Sequence, residues 1–247
     1  MNKDYHISFF RPTTERAKHN RNMVLWLIGI WAIAIFGFHI LLRVIEKPVP
    51  EPQLIAFNEV WNDVKEGNAD ASSLTTFANS ALHVAGKVFI STEHRAALDN
   101  GITWATFQLA DSAQQVALTS ALLDFEKAES EANAVTDADY LSAKRKLGGL
   151  ATSILGLQPT EVLAKILPLE LRSSSIEAIT AENMEIIETC MPLYTIHNRS
   201  FLTDTTFLGF PFHYFYSAVF LLILFIGLCW AYCLRVDQYN KKMGIAE

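Results

Sequence analysis

The residues that could carry chemistry in the polar middle of the chain are few and widely spaced. Three histidines, His83, His94 and His197, lie in this region, far apart in sequence. Metal sites usually show close pairs of ligands, such as two histidines four residues apart or paired cysteines. No such pair occurs in the middle region, so we predict no metal site. We interpret the three histidines as core or surface residues.

Three carboxylates and one thiol are the other candidates. Glu182, Glu185 and Glu188 would share one face of a helix. Paired carboxylates can bind a cation or act as acid and base, but a solvated helix face explains them more simply. Cys190 has no identifiable base, and no Gly-x-Ser-x-Gly elbow occurs. We therefore predict no catalytic residue, no cofactor and no enzymatic activity.

Two further histidines lie in apolar surroundings. His39 is near the end of a first apolar run, and His213 is at the start of a second. An ionisable group inside a membrane span is costly and suggests a function. Both positions are near the membrane interface, so anchoring or hydrogen bonding to a neighbouring helix is favoured over proton transport. We predict that both are interfacial polar residues.

The two apolar runs dominate the organisation of the chain. Residues 23–45 and 208–234 are almost uncharged, and each is long enough as a helix to cross the roughly 30 Å of a bilayer's hydrocarbon core. Both are apolar on every face, which argues against a core helix of a soluble protein. The first is too long for a signal peptide, and no small-residue cleavage site follows it. We predict two transmembrane helices.

Basic residues set the predicted orientation. Eight of them flank the two runs on the terminal sides and three on the inner sides: Lys3, Arg11, Arg16, Lys18, Arg21, Arg235, Lys241 and Lys242 against Arg43, Lys47 and Arg199. The positive-inside rule places both termini in the cytoplasm. Residues 1–22 and 235–247 are then cytoplasmic, and residues 46–207 are extracytoplasmic, at the bacterial inner membrane.

The middle region is predicted to be a soluble helical domain. Residues 47–207 contain 11 Lys/Arg and 21 Asp/Glu, a balance that repels nucleic acid. Apolar periodicity predicts five to seven helices. The principal segments are 54–64 with a stop at Gly67, 73–89, 102–129 as the longest, a helix after a capping box at Thr136 and Asp139, a short helix from Pro159 to about Pro168, and 182–191 ending by Pro192. The predicted fold is all-α, with two transmembrane helices flanking an inserted domain.

The second apolar run and its flanks carry a distinctive pattern. Gly209-Phe210-Pro211-Phe212-His213-Tyr214 precedes it, and its exit reads Trp230-Ala-Tyr232, Arg235-Val-Asp237 and Lys241-Lys-Met-Gly244. This pattern resembles the small subunit of a solute:sodium symporter family, and residues 16–42 are similar to that family's first span. Family members have a brief loop where this chain inserts about 160 residues. Tyr239, Asn240 and Met243 also stand where Leu, Asp and Tyr are expected.

The resemblance implies an accessory subunit that works beside a large multi-span symporter subunit. The large subunit is expected to carry sodium and solute, and we predict a small organic acid as the solute. The alternative is a membrane-anchored periplasmic module whose inserted domain binds or senses a ligand.

One side of the second run is predicted to meet a neighbouring helix. Ser217, Leu224, Gly227 and Ala231 fall on this side. Gly227 and Ala231 form a small-x3-small pair, which lets helix backbones approach closely in lipid. The neighbour would be the first run or the large subunit. The alternative is that glycine and alanine are simply frequent in membrane helices.

Overall fold

The computed structural model describes residues 9–244, and Lys3 lies outside them. The chain divides into two compact units. One combines the residues up to Pro48 with those from Asn198 onward, and the other is Val49–His197. We call them the two-helix unit and the inserted unit. The domain predicted from sequence, residues 46–207, extends beyond the inserted unit at both ends.

Two long helices make up most of the two-helix unit. Helix α1 is Glu15–Ile45. The second is continuous over Phe212–Lys242 and consists of α10 (Phe212–Phe215), a π-helical turn (Tyr216–Phe220) and α11 (Leu221–Lys242). Both are long and apolar enough to cross a membrane, and only 6% and 0% of their most apolar segments are buried. They are therefore not core helices of the kind that soluble domains bury.

Both helices extend beyond their predicted bounds on the charged side. Helix α1 begins eight residues before position 23 because Thr14 caps it, accepting a hydrogen bond from the amide of Ala17 at 3.2 Å. Helix α11 continues past position 234 to Lys242, and Gly244 follows with a φ of 64°. No glycine or proline interrupts residues 235–242.

Short strands and one helical turn complete the two-helix unit. Strands β1 (Lys47–Pro50) and β2 (Ile196–Arg199) pair, and the division between the two units falls inside both of them. Helix α9 (Phe201–Asp204), strand β3 (Thr206–Phe207) and strand β4 (Phe210–Pro211) then lead to α10. Strands β3 and β4 pair antiparallel.

The inserted unit is helical, and the all-α prediction is confirmed. Its helices are α2 (Pro52–Glu66), α3 (Ala71–Ala85), α4 (Thr92–Leu109), α5 (Ser112–Glu131), α6 (Ala138–Ile154), α7 (Val162–Ile166) and α8 (Ala181–Thr195). Two 3₁₀ turns, Leu167–Leu169 and Ser173–Ser175, separate α7 from α8. The predicted stop at Gly67 is confirmed, since Gly67 ends α2 with a φ of 73°.

The helix predicted over 102–129 is wrong, because two helices occupy that region. Asp111 accepts a hydrogen bond from the amide of Gln114 at 2.8 Å, and the Gln114 side chain accepts one from the amide of Asp111 at 2.9 Å. This capping box starts α5 and ends the helical run of α4. Helix α4 in turn begins earlier than predicted, where Ser91 caps the amide of His94.

Other predicted boundaries also shift. The cap of α6 is Asp137 and not Thr136, and its carboxylate accepts hydrogen bonds from the preceding loop amides. Pro192 does not end α8, because the Ile196 amide bonds to the Pro192 carbonyl and closes the last turn. Residues 87–92 include a short run of β-branched and aromatic side chains that is typical of a strand, but they form no strand.

Aromatic stacking and close backbone approach hold the core of the inserted unit. The rings of Phe57 and Trp61 lie 4.9 Å apart, and those of Trp61 and Phe77 lie 5.6 Å apart. A Cβ added at Gly101 would lie 2.9 Å from Phe77 Cζ and 3.0 Å from Ile187 Cδ1. Glycine at this position therefore lets α4 pack closely against α3 and α8.

Candidate functional site

The closest described contact between the two long helices is made by Tyr216. Its hydroxyl donates a hydrogen bond to the main-chain carbonyl of Ala34 at 2.8 Å. Its ring stacks on the buried ring of Phe38, with centroids 3.7 Å apart. Sequence reasoning missed this residue. The available signal was a phenol inside an apolar run, because a buried tyrosine hydroxyl usually finds a hydrogen-bond partner.

A second contact lies near the other ends of the same helices, where the rings of His19 and Tyr239 stack at 4.1 Å. Between the two contacts the helices leave an apolar groove of about 360 Å³. Trp31 and Phe225 line this groove with ring centroids 6.2 Å apart. The Tyr216 and Tyr239 contacts therefore lie on either side of this groove.

The predicted small-residue face is only partly turned toward α1. Leu224 and Ala231 are half-buried, whereas Ser217 and Gly227 are exposed. A Cβ added at Gly227 would meet no atom within 4 Å. Gly227 therefore makes no close contact with α1, and its surface is open to a second molecule. Val219, which lies on the opposite side of the helix, is also exposed.

The two membrane histidines lie in different surroundings. His39 is exposed, and its ring lies 6.2 Å from that of Phe38. His213 is half-buried beside Tyr214, with ring centroids 4.1 Å apart. Within residues 9–244, the Nδ1 atom of His213 is buried and has no hydrogen-bond partner. The hydrogen bond from the second helix to α1 is donated by Tyr216 and not by a histidine.

An exposed apolar turn precedes the second helix. Leu208 and Gly209 connect β3 to β4 with φ values of 52° and 83°, as in a type I′ turn. Leu208 is the one non-glycine residue with positive φ among residues 9–244, a conformation that costs about 1–2 kcal/mol. Phe207 and Phe210 flank the turn and are exposed. Gly209 and Phe210 of this turn are the first two residues of the sequence pattern that precedes the second apolar run.

Two of the three histidines of the inserted unit meet at one carboxylate. Glu51 Oε1 lies 2.6 Å from His197 Nε2, and Glu51 Oε2 lies 3.3 Å from His83 Nε2. Lys87 donates to both oxygens, at 2.7 and 2.9 Å, and also to the carbonyl of Tyr194 at 2.8 Å. Burial raises the pKa of Glu51, but these hydrogen bonds outweigh it and hold the pKa below its usual 4.5. Lys87 supplies a positive charge beside the Glu51 carboxylate. We call Glu51, Lys87, His83 and His197 together the ionic clasp.

The third histidine, His94 on α4, contacts Tyr194 on α8, whose carbonyl accepts the hydrogen bond from Lys87. His94 Nδ1 is 2.9 Å from the Tyr194 hydroxyl, which also accepts a hydrogen bond from the Ser91 amide. Within residues 9–244, no group of three or more His, Cys, Asp or Glu side chains is arranged to hold a metal ion. No sequence motif indicated that His83 and His197 share a partner, because that partner, Glu51, is distant in sequence from both.

The remaining candidates from the sequence are separate from this clasp. Glu182, Glu185 and Glu188 are all exposed, and Glu188 pairs with Lys65 at 2.7 Å. Cys190 is fully buried, and burial raises the pKa of its thiol to about 11. Such a thiol is protonated at neutral pH and is a poor nucleophile.

A buried carboxyl pair was also missed by sequence reasoning. Asp99 and Glu170 are 5% and 2% exposed, and each has one oxygen without a hydrogen bond in the described part of the chain. Arg95 pairs with Glu170 at 2.7 Å, and Arg172 lies 3.5 Å from Asp99. Burial and the neighbouring Glu170 raise the pKa of Asp99 to about 8. Burial and the adjacent Glu170 therefore favour the neutral form of the Asp99 carboxyl.

Comparison with known proteins identifies one related segment. The family described as "Domain of unknown function (DUF4212)" matches residues 189–246. The match runs from the last turns of α8 through the apolar turn to the end of the second long helix. No curated protein and no solved structure matches the chain.

Proposed function

We propose that this chain is an accessory small subunit of a sodium-coupled solute symporter, held in a bacterial inner membrane by α1 and by the helix of residues 212–242. The observation that carries the proposal is a coincidence of three features. The family match at 189–246, the residues that resemble a symporter small subunit, and the second membrane-length helix all fall on one segment.

The geometry of the two-helix unit supports a role beside a larger partner. Two helices that touch through Tyr216–Phe38 and His19–Tyr239 enclose no aqueous path of their own. The second helix also keeps Gly227 uncovered, and a glycine in a membrane helix allows a neighbouring helix to approach closely. A multi-span symporter subunit would supply both the transport path and the neighbouring helix.

The proposed orientation has both termini in the cytoplasm and the inserted unit on the opposite side. Its support is the excess of lysine and arginine on the terminal flanks of the two helices. A small organic acid is the proposed solute, by the resemblance to the symporter family.

The second candidate function is a membrane-anchored binding or sensing module. One observation favours it, namely an open cleft in the inserted unit lined by basic side chains without carboxylate partners. An accessory subunit needs no such cleft. The two functions predict different partners, a symporter in the first case and a kinase or regulator in the second.

Affinity purification from native membranes tests the proposal. A tagged full-length chain, extracted in several mild detergents, is expected to recover one multi-span membrane protein of symporter type at constant stoichiometry. An unrelated two-span protein with the same tag serves as the control. Recovery of a kinase or regulator would favour the second function. Recovery of no multi-span protein in any detergent would contradict the first.

A further inference from the structure

An open cleft of about 630 Å³ lies between α6 and the segment formed by α7 and the following 3₁₀ turn. Leu141, Leu157 and Pro168 contribute apolar lining. Small-molecule sites in proteins are typically about 300–1,000 Å³, mostly apolar, with a few polar groups that fix orientation. The cleft matches this description in size and in lining. It lies wholly within the inserted unit.

The charged side chains around the cleft have one sign. Lys144 and Arg145 on α6 and Lys165 on α7 line it, and none of its twelve lining residues is acidic. The inserted unit as a whole contains 9 Lys/Arg and 20 Asp/Glu. The charge of the side chains that line this cleft is therefore opposite to the net charge of the inserted unit.

The nine basic residues of the inserted unit differ in whether they pair with a carboxylate. Five of them form ion pairs with carboxylates: Lys65, Lys87, Arg95, Lys146 and Arg172. The other four have no carboxylate oxygen within 4.0 Å among residues 9–244: Lys127, Lys144, Arg145 and Lys165. Three of these four line the cleft. Basic side chains without a carboxylate partner are thus concentrated at this cleft.

The floor of the cleft offers a polar group and free space. Thr152 lines it and is only 6% exposed. Its carbonyl accepts a hydrogen bond from the Leu157 amide, but its side-chain hydroxyl makes none within residues 9–244. Its hydroxyl is therefore available to a ligand. A Cβ added at Gly149 would meet no atom within 4 Å, whereas one at Gly148 would lie 3.0 Å from Pro168 Cγ. Glycine at 148 lets α6 approach Pro168, and glycine at 149 leaves the cleft open.

We propose that this cleft binds a small organic anion, a carboxylate whose charge is held by Lys144, Arg145 and Lys165 and whose apolar body lies against the floor. Cations on both walls favour a carboxylate, and the apolar lining favours a hydrocarbon or aromatic body over an inorganic ion. The proposal goes beyond the accessory role in transport, since it requires only the inserted unit's own residues. Its success or failure is therefore measured on the purified chain without a partner.

Calorimetric titration of the full-length chain in nanodiscs tests the site, with empty nanodiscs as the blank. Hexanoate is the probe, hexylammonium matches its length with opposite charge, and inorganic phosphate is an anion without an apolar body. Hexanoate is expected to bind saturably, while hexylammonium does not bind and phosphate binds more weakly. Absence of saturable hexanoate binding, or equal binding of hexanoate and phosphate, would overturn the proposal.

Two sets of variants locate the binding. Replacing Lys144, Arg145 and Lys165 together with glutamine is expected to weaken hexanoate binding about tenfold, because three charge interactions are lost. Lys127→Gln removes the fourth unpaired cation, which lies outside the cleft, and should leave the affinity unchanged. An equal loss in both would show non-specific attraction and would refute the site.

A steric variant tests the cleft independently of charge. Gly149→Phe projects a ring into open space and should abolish binding, with the thermal midpoint of the chain unchanged, while Gly149→Ala should have a smaller effect. Full hexanoate affinity in Gly149→Phe would contradict the assignment. A hexaglutamate peptide that bound more tightly than hexanoate, and lost affinity in the same variants, would replace the small molecule with an acidic protein segment.

Discussion

His197 Nε2 lies 2.6 Å from Glu51 Oε1, and this contact joins the beginning of the inserted unit to its end. The amide of Glu51 also donates to the carbonyl of Thr195 at 2.8 Å. A domain whose ends lie close together can be accommodated in a loop of another fold. The inserted unit can therefore be placed in a short loop that connects two helices.

The first prediction concerns this clasp. Glu51→Gln is expected to lower the free energy of unfolding by about 1–3 kcal/mol at neutral pH, because Lys87 loses its charged partner while remaining half-buried. Denaturant unfolding of the full-length chain in detergent, followed by circular dichroism, measures it. Glu188→Gln is the matched control, since its pair with Lys65 is exposed and is worth at most about 1 kcal/mol.

The same pair of proteins gives a pH dependence. The folded-state pKa of Glu51 lies below its usual 4.5. The stabilisation is therefore fully present above 4.5 and is lost as the pH falls through the folded-state pKa. The difference between wild type and Glu51→Gln should shrink in acid, and a difference that stays constant there would count against the clasp.

The second prediction concerns the buried carboxyl pair, where the sign is reversed. Asp99 has a folded-state pKa of about 8 against a usual value of 3.8. Its contribution is fully present below 3.8 and is lost as the pH rises toward 8, by up to about 1.4 kcal/mol per pH unit. Asp99→Asn mimics the protonated form. The unfolding free energy of this variant should therefore rise relative to that of wild type as the pH goes from mildly acidic to alkaline.

Asp124→Asn is the control for this series, since Asp124 and its partner Lys146 are exposed. It should change little with pH over the same range. If Asp99→Asn and wild type respond identically to pH, Asp99 does not hold a proton in the folded state.

The third prediction isolates one hydrogen bond between the long helices. Tyr216→Phe keeps the ring on Phe38 and removes only the hydroxyl that bonds to Ala34. The expected cost is about 0.5–1.5 kcal/mol, measured by unfolding in mixed detergent micelles. Tyr214→Phe removes an exposed hydroxyl and should have no effect. Equal stability of the two variants would exclude a contribution from the Tyr216–Ala34 bond.

The fourth prediction concerns the open face at Gly227. Gly227→Leu should weaken assembly with a partner by about 1–3 kcal/mol, the usual cost of overpacking. It should leave the isolated chain intact, because a Cβ at this position meets no atom within 4 Å. Val219→Leu should leave assembly unchanged. Equal recovery of the partner with Gly227→Leu and wild type would remove this face as the interface.

The fifth prediction concerns orientation. Ala134 is exposed in the inserted unit, so Ala134→Cys should react with a membrane-impermeant thiol reagent in intact spheroplasts. The native Cys190 should stay unlabelled because it is buried and its pKa is raised to about 11. The unmodified chain supplies the background for Cys229 and Cys233. Labelling that occurs only after lysis would reverse the proposed topology.

The sequence by itself determined the two long apolar helices, the helical inserted unit and the stop of α2 at Gly67. These features depend on local properties, namely apolar periodicity, the absence of charge over a membrane length, and a glycine able to adopt a positive φ. Boundaries failed where a single side chain decided them. Asp111 splits the predicted 102–129 helix because its carboxylate satisfies an amide that a continuous helix would have bonded to a carbonyl.

Only the tertiary structure decided which distant groups meet. Glu51 joins His83 and His197, Asp99 lies beside Glu170, and neither arrangement has a repeated spacing in the sequence. The tertiary structure likewise decides which basic side chains around the cleft lack a carboxylate partner, because it pairs five other basic residues with carboxylates. Such contacts follow from helix packing, since the free energy of a buried charge depends on which partner packing places within a few ångströms and not on its sequence neighbours.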